Sequence, residues 1–335
     1  MGLLAEAVGA ESFVHEITWQ KLQDRSWMLS NAVRAMGALY FGSRWNGLLP
    51  IWDEWRMRSA RRRKDVRLVH ILWGEFATPR MARWCAPKGI PLIGSFHASA
   101  RRQESVFGRR RPFLVYDWIT LMSETQKAYF VERGFPASRL SVILHGVDTG
   151  FFRPAETTTG PSDGPLRGVI VGSTERDHIF LSEVMRNLPP GVMNLTVVTR
   201  SYDDLAAYRG CPGVVTKGWL DDPALLEKYR ASDLLLMPLM DSTANNAILE
   251  SMACGTPVMV NRVGGVPEYV SPACNIVVEG KVVDDWCRKL RDISADRERL
   301  VRMRAETRAW AERFDWRTIA AEYLSLYTRC MEGGR

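Results

Sequence analysis

Apolar positions recur at helical spacing from about Trp27 to Phe41 and again from Leu49 to Met57, after which the pattern changes. The run "RLVHILWG" (Arg67 to Gly74) is short, apolar and bounded by charge and glycine, so two helices followed by a buried strand are expected. "IPLIGSFH" reads as a strand, "FLVYDWITLMS" as at least one, "ETQKAYFVERG" as a helix stopped at Gly134, and "LSVILHG" as a strand. Beyond the turn-rich stretch "TTTGPSDGPLRG" (Thr157 to Gly168), which marks a linker or a domain-opening loop, the alternation restarts. "GVIVGS", "NLTVVTR", "DLLLMPL" and "PVMVNR" read as strands, separated by helices in "DHIFLSEVMRNLP", "PALLEKYRAS" and "NNAILESMACG". Short strands without a polar face, alternating with helices, belong to parallel sheets covered on both sides. The expected class is α/β, with two successive Rossmann-like units over residues 1–150 and 151–314 that bind ligands at the carboxyl ends of their strands. A closing amphipathic helix is expected over residues 315–330.

Composition agrees with that picture: 335 residues, 46% hydrophobic and 25% charged, suffice for two folded cores. The six cysteines, at 85, 211, 254, 274, 287 and 330, have neither zinc nor redox spacing and read as reduced thiols of a cytoplasmic protein. The opening "MGLLAEAVGAESF" lacks the pattern of a signal peptide, and the longest apolar candidate, Trp27 to Trp52, is broken by Arg34 and Arg44. Charge is uneven. Residues 1–150 carry 22 Lys/Arg against 13 Asp/Glu, and the remainder 23 against 25. Clusters such as Arg61 to Lys64 and Arg109 to Arg111 suit an anionic lipid surface or a phosphorylated substrate, and equally suit solvated helix ends. No nucleic-acid motif accompanies them, so nucleic acid is not an expected partner.

Candidate chemistry concentrates in "DSTANNAILESMACGTPVMV" (Asp241 to Val260), where Glu250 is the one acidic residue of an otherwise apolar helix. A helix beginning near Asn245, just after a strand, would present free N–H groups and a positive dipole end at the sheet's carboxyl edge, which suits a diphosphate. Thr243, Asn245 and Asn246 are good capping residues that could also meet phosphate; both readings follow from the same geometry. A buried carboxylate is costly alone, so Glu250 needs ligand hydroxyls, an arginine or backbone N–H groups as partner.

The segment Ala231 to Val270 resembles the donor-binding region of the family 4 retaining glycosyltransferases, also called group 1, which have the GT-B fold. "VILHGVDTGFFRP" (Val142 to Pro154) is similar to that family's interdomain connection, and "GIPLIGSFHASA" (Gly89 to Ala100) to its strand ending in a histidine. With "YRASDLLLMPL" and "FDWRTIAAEYLSLY", the likeness spans most of residues 66–328. It implies two facing Rossmann-like domains with parallel sheets and a cleft between them, the closing helix packing back on the first. It also implies transfer of a hexose-type sugar from a nucleotide diphosphate sugar to an acceptor hydroxyl, without cofactor or metal; no Asp-x-Asp is present.

Residue by residue, the likeness assigns the diphosphate to the helix amides around Thr243, Asn245, Asn246 and Ala247, and the ribose hydroxyls to Glu250. The family's other glutamate, eight positions earlier, is here Ser242, with Asp241 beside it. The loop "GSTERDH" (Gly172 to His178) lacks the usual arginine and lysine spacing, which leaves Gly172 and Ser173 for close approach and Arg176, Arg200 and His178 as cationic candidates. Trp219 and Leu220 would frame the base, and His97 would orient the sugar. The donor is expected to be a UDP-, GDP- or ADP-sugar, and the acceptor a glycan, a small molecule or a lipid-linked hydroxyl. The aromatic and basic segment Trp45 to Lys64 would either rest on the anionic inner face of a membrane or pack as a helix on the first sheet. The strand and glycine-rich loop with which family members open are not evident in "MGLLAEAVGAESFVHEITW", so the acceptor side is expected to be shortened or rebuilt. Ser242 and the altered loop raise one alternative, a degenerate GT-B protein that binds nucleotide sugars without turnover.

Overall fold

The computed structural model describes residues 66–76, 79–156 and 164–333. The helices expected before residue 60, the segment Trp45 to Lys64 and the expected change at the amino terminus lie outside them. The chain divides into two compact units, one running to Leu144 and resuming at Ala320, the other spanning His145–Ile319.

In the first unit the chain runs β1 (Val69–Ile71), α1 (Pro79–Cys85), β2 (Leu92–Phe96), α2 (Ala100–Phe107), β3 (Trp118–Leu121), α3 (Lys127–Glu132) and β4 (Leu140–Val142). The four strands form a parallel sheet in the order β1-β2-β3-β4. Leu92, Phe96, Phe113, Ile119, Leu121 and Phe130 are fully buried in its core. The strand expected within "FLVYDWITLMS" is only its second half, because Pro112 opens a 3-10 turn that drives Phe113 inward. The helix expected over "ETQKAYFVERG" likewise begins as a 3-10 turn, capped by Ser123 and Gln126.

The second unit runs β5 (Leu166–Val171), α4 (His178–Asn187), β6 (Met193–Val198), α5 (Tyr202–Ala207), β7 (Val214–Lys217), α6 (Asp222–Arg230), β8 (Leu234–Met237), α7 (Asn246–Ala253), β9 (Val258–Asn261), α8 (Val266–Tyr269), β10 (Ile276–Val278), α9 (Val283–Ala295) and α10 (Arg297–Ala311). All strands are parallel, in the order β10-β9-β8-β5-β6-β7. Strand order therefore reverses between β5 and β8, the place where open α/β sheets hold ligands.

The last helix, α11 (Trp316–Glu332), contributes its residues from Ala320 to the first unit. There the first sheet carries a buried polar seam: Ser95 bonds Thr120 at 2.5 Å and His70 at 2.8 Å, and His70 meets the Tyr327 hydroxyl at 2.6 Å. Burial pulls the His70 imidazole down to about 3, so it packs as a neutral group. No helix among the described residues is long and apolar enough to cross a membrane.

Asp233 ties β8 to β5 and to α10. Its carboxylate accepts from the Arg167 backbone N–H (2.9 Å), from Arg167 Nε and Nη2 (3.1 and 2.7 Å) and from Arg304 Nη2 (2.9 Å). Burial pushes this carboxyl up, but the bonds from Arg167 and the charge of Arg304 outweigh it and hold the group below the ordinary carboxylate range. Replacing Asp233 with alanine removes the carboxylate shared by Arg167 and Arg304 and leaves the Arg167 backbone N–H without that acceptor, and should cost about 3 kcal/mol in a denaturant titration at pH 7. Because the folded value is depressed, the contribution is present above the unfolded carboxylate range and lost as pH falls below it; a loss under 1 kcal/mol would contradict the account.

Candidate functional site

β5 stops at Gly172, whose backbone turns left-handed at φ 87°. A Cβ there would meet the Arg176 guanidinium at 3.2–3.3 Å, so the glycine both makes the turn and leaves room for the cation. The following loop is zipped to the loop after β8: Met240 N–H donates to Glu175 O and Asp177 N–H to Pro238 O, each at 2.9 Å. Arg176 and Leu239 form an isolated antiparallel bridge between them. Glu175, at φ 60°, is the one non-glycine residue with positive φ among those described, a conformation worth of order 1 kcal/mol of strain. Strain of this kind marks positions held for a purpose other than stability.

From this zipper the chain enters α7. Asn245 is its N-cap, accepting from Ile248 N–H at 3.4 Å. The same side-chain oxygen accepts from Arg176 Nη2 at 3.1 Å, while Arg176 Nε donates to Val171 O (3.1 Å) and Nη1 to Thr174 O (2.6 Å). The structure thus brings Gly172, Arg176 and Asn245 together. Burial pulls the guanidinium below its ordinary value, opposed by Tyr229, Glu250 and Glu175. Thr243 and Ala247 are buried beside the cap, and Asn246 is exposed. Ser173 is exposed at the start of the Arg176 loop.

Glu250 sits one turn into α7. Its Oε2 accepts from the Tyr229 hydroxyl at 2.9 Å, a phenol from α6 that adds a partner to those considered from the sequence. Burial raises the carboxyl to about 7; the Tyr229 bond and the Arg176 charge pull it down, and Asp222 pushes it up. Near neutrality this carboxyl is divided between its charged and neutral forms.

The neighbouring loop is tied down by its own local bonds. Asp241 Oδ1 accepts from Ser242 N–H at 2.8 Å, and the buried Ser242 hydroxyl turns to Thr243 O at 3.4 Å. Gly265 N–H donates to Ser242 O at 2.8 Å. Gly264 has φ 50°, and a Cβ there would stand 2.1 Å from Ser242 O. The pair Gly264-Gly265 therefore makes more than a tight loop: it lets the loop after β9 lie against the backbone at Asp241–Ser242.

The remaining candidates lie elsewhere. Arg200, at the end of β6, stacks its guanidinium 4.8 Å over the Trp219 ring, which is 61% exposed; Leu220 beside it is half-buried. His178 points inward, bonded to Tyr208 (3.0 Å) and Gly172 O (2.8 Å), because it opens α4 on the core side; the cationic role considered for it does not fit. His97 belongs to the first unit, where its ring stacks on Trp73 at 4.1 Å and the buried Glu75 carboxylate accepts from the N–H groups of His97 and Ala98. Tyr229, Trp73 and Glu75 were missed in the sequence. The only signal for the last two is "WGEF" directly after a strand.

A family model described as "Glycosyl transferases group 1" matches residues 167–296, and one described as "Glycosyltransferase Family 4" matches residues 9–151. A D-inositol 3-phosphate glycosyltransferase of Thermobispora bispora is 26% identical over 318 residues, covering 81% of this chain and 72% of the relative. The protein of the same name from Gordonia bronchialis is 34% identical over 294 residues, covering 75% of this chain and 62% of the relative. Among solved structures, Anabaena HepE in complex with UDP aligns with TM-score 0.66 at 16% identity, over 85% of this chain and 84% of that one.

Two measurements check this geometry. Gly264→Ala should lower the thermal midpoint by several degrees, since its Cβ has a backbone oxygen in its way; an unchanged midpoint would contradict the packing. Glu250 ionises near 4.5 in the unfolded chain but only near 7 when folded, so stability falls as pH rises between those values. Glu250→Gln removes that loss and should gain roughly 3 kcal/mol more on wild type at pH 8 than at pH 4; a gain independent of pH would contradict it.

Proposed function

The chain belongs to the group 1, or family 4, glycosyltransferases, and from that premise we propose that it transfers a hexose-type sugar from a nucleoside diphosphate sugar to an acceptor hydroxyl with retention of configuration. The observation that carries the reading is the Arg176–Asn245–Glu250 group at the reversal of strand order, on the first turn of α7. The three oxygens that Arg176 now contacts are all neutral, so a diphosphate offers it stronger charge-assisted bonds. The helix end adds N–H groups and a positive field.

Departure of a nucleoside diphosphate needs stabilisation of negative charge more than it needs a strong nucleophile. The reading gives that task to Arg176 and the α7 terminus rather than to a metal ion. Glu250 accepts the ribose hydroxyls, and Arg200, Trp219 and Leu220 take the base. Ser242 occupies the family's glutamate position with its hydroxyl turned to its own loop, so the sugar-side carboxylate falls to Asp241.

UDP is the first donor nucleotide to try, since the similar HepE structure was solved with it, followed by GDP and ADP. The relatives' name makes a phosphorylated cyclitol the first acceptor to test, followed by glycans and lipid-linked hydroxyls.

A thermal-shift screen against UDP, GDP, ADP and their common sugars should raise the midpoint for one nucleotide class. In the class that binds, Arg176→Ala and Glu250→Ala should each weaken affinity at least tenfold with the fold intact, and transfer or slow donor hydrolysis should be detectable. Donor binding without turnover across a broad acceptor panel would favour a binding protein instead, and no binding in any class would overturn the reading.

A further inference from the structure

Tyr229 is fully buried, on a helix that follows a different strand from the one leading into α7, and the structure gives its hydroxyl to Glu250 at 2.9 Å. Its own backbone oxygen accepts from Thr256 Oγ1 at 2.8 Å, and Ser251 Oγ donates to Thr256 O at 2.9 Å. The Tyr229 backbone is thus tied through Thr256 to α7, and its buried ring carries the hydroxyl to Glu250. A hydroxyl pinned in this way chooses one oxygen of the carboxylate and one rotamer of Glu250. We infer that Tyr229 is a positioning residue of the donor site, its buried hydroxyl fixing the Glu250 carboxylate for the hydroxyl acceptance that ribose recognition requires.

The inference rests on the reading of Glu250 as the ribose contact. The groups that face this carboxyl are Tyr229 and Asp222 from α6, Arg176 from the loop after β5, and Cys254 from the C-cap of its own helix. Tyr229 and Arg176 favour its charged form; Asp222 and burial oppose it. A tyrosine hydroxyl is a donor that stays protonated here, because burial and the neighbouring carboxylate push Tyr229 well above its ordinary range. Its hydroxyl thus keeps its proton while the carboxyl beside it titrates.

A pH signature follows. Ribose hydroxyls donate to the carboxylate, so nucleotide binding draws on the ionised form and should weaken about tenfold per unit as pH falls below the free carboxyl's value near 7. Tyr229→Phe keeps the ring and its packing but deletes the donor. The free carboxyl should then titrate roughly one unit higher, moving the whole acidic limb to higher pH while leaving affinity at pH 9 within about twofold of wild type. A merely structural role for the tyrosine would lower affinity at all pH values alike.

The experiment has two arms on the full chain. Infrared difference spectra against Glu250→Gln, without any nucleotide, follow the carboxyl's titration in wild type and Tyr229→Phe; an upward shift is expected, and an unchanged midpoint overturns the inference whatever the protein binds. Calorimetric titration with UDP, GDP and ADP from pH 5.5 to 9 then follows affinity. A limb displaced in Tyr229→Phe and absent in Glu250→Gln supports the inference. If Glu250→Gln weakens binding but the Tyr229→Phe limb coincides with wild type, the inference alone fails. If Glu250→Gln binds as wild type does, the ribose reading fails with it.

Discussion

Two backbone hydrogen bonds, Met240 to Glu175 and Asp177 to Pro238, hold the loops after β5 and β8 together where the strand order of the second sheet reverses, and the site is built outward from them. Because the loops are zipped, Arg176 is carried to the cap of α7 and can share Asn245 with the helix's own amide. α7 in turn places Glu250 under Tyr229. Asn261, at the end of β9, secures the same region from the other side by exchanging two bonds with the Leu239 backbone, at 2.7 and 3.0 Å. Each chemical group is thus positioned by main chain that the sheet itself fixes.

The same region is where the second unit departs from its most stable arrangement. A left-handed glutamate, a guanidinium shielded from water and a carboxyl raised to about 7 stand within a short stretch of each other in space. The contrast with Asp233 is instructive, since both are acidic groups shielded by the fold. Asp233 is met by two arginines and falls below its ordinary range, whereas Glu250 is met by one phenol and a more remote cation and rises. The first arrangement holds strands together; the second leaves a carboxyl whose ionisation burial opposes, a perturbation typical of functional sites.

Much of this was legible in the sequence because burial on both faces of a parallel sheet leaves an uninterrupted apolar run, as in Leu234–Met237 and Val258–Asn261. β7 was not legible for the complementary reason: Val214–Lys217 is a largely exposed edge strand with no apolar pattern. The helix start near Asn245 and the isolation of Glu250 could be read from the sequence; which of Thr243, Asn245 and Asn246 caps the helix could not. The partner of Glu250 could not, because Tyr229 lies 21 residues away on another helix and only the packing of α6 against α7 brings its hydroxyl within reach. Nor could sequence show that Ser242 turns its hydroxyl to its own loop, or that Gly264 lets the loop after β9 lie against the backbone there.

The central claim is that the first turn of α7 receives a nucleoside diphosphate. Hydrogen exchange of the amides of Asn246, Ala247 and Ile248, measured with and without a saturating amount of whichever of UDP, GDP or ADP binds most tightly, tests it most directly. The account predicts that these amides slow markedly on binding, together with those of the Arg176 loop. Protection confined to other parts of the chain, with α7 unchanged, would contradict it.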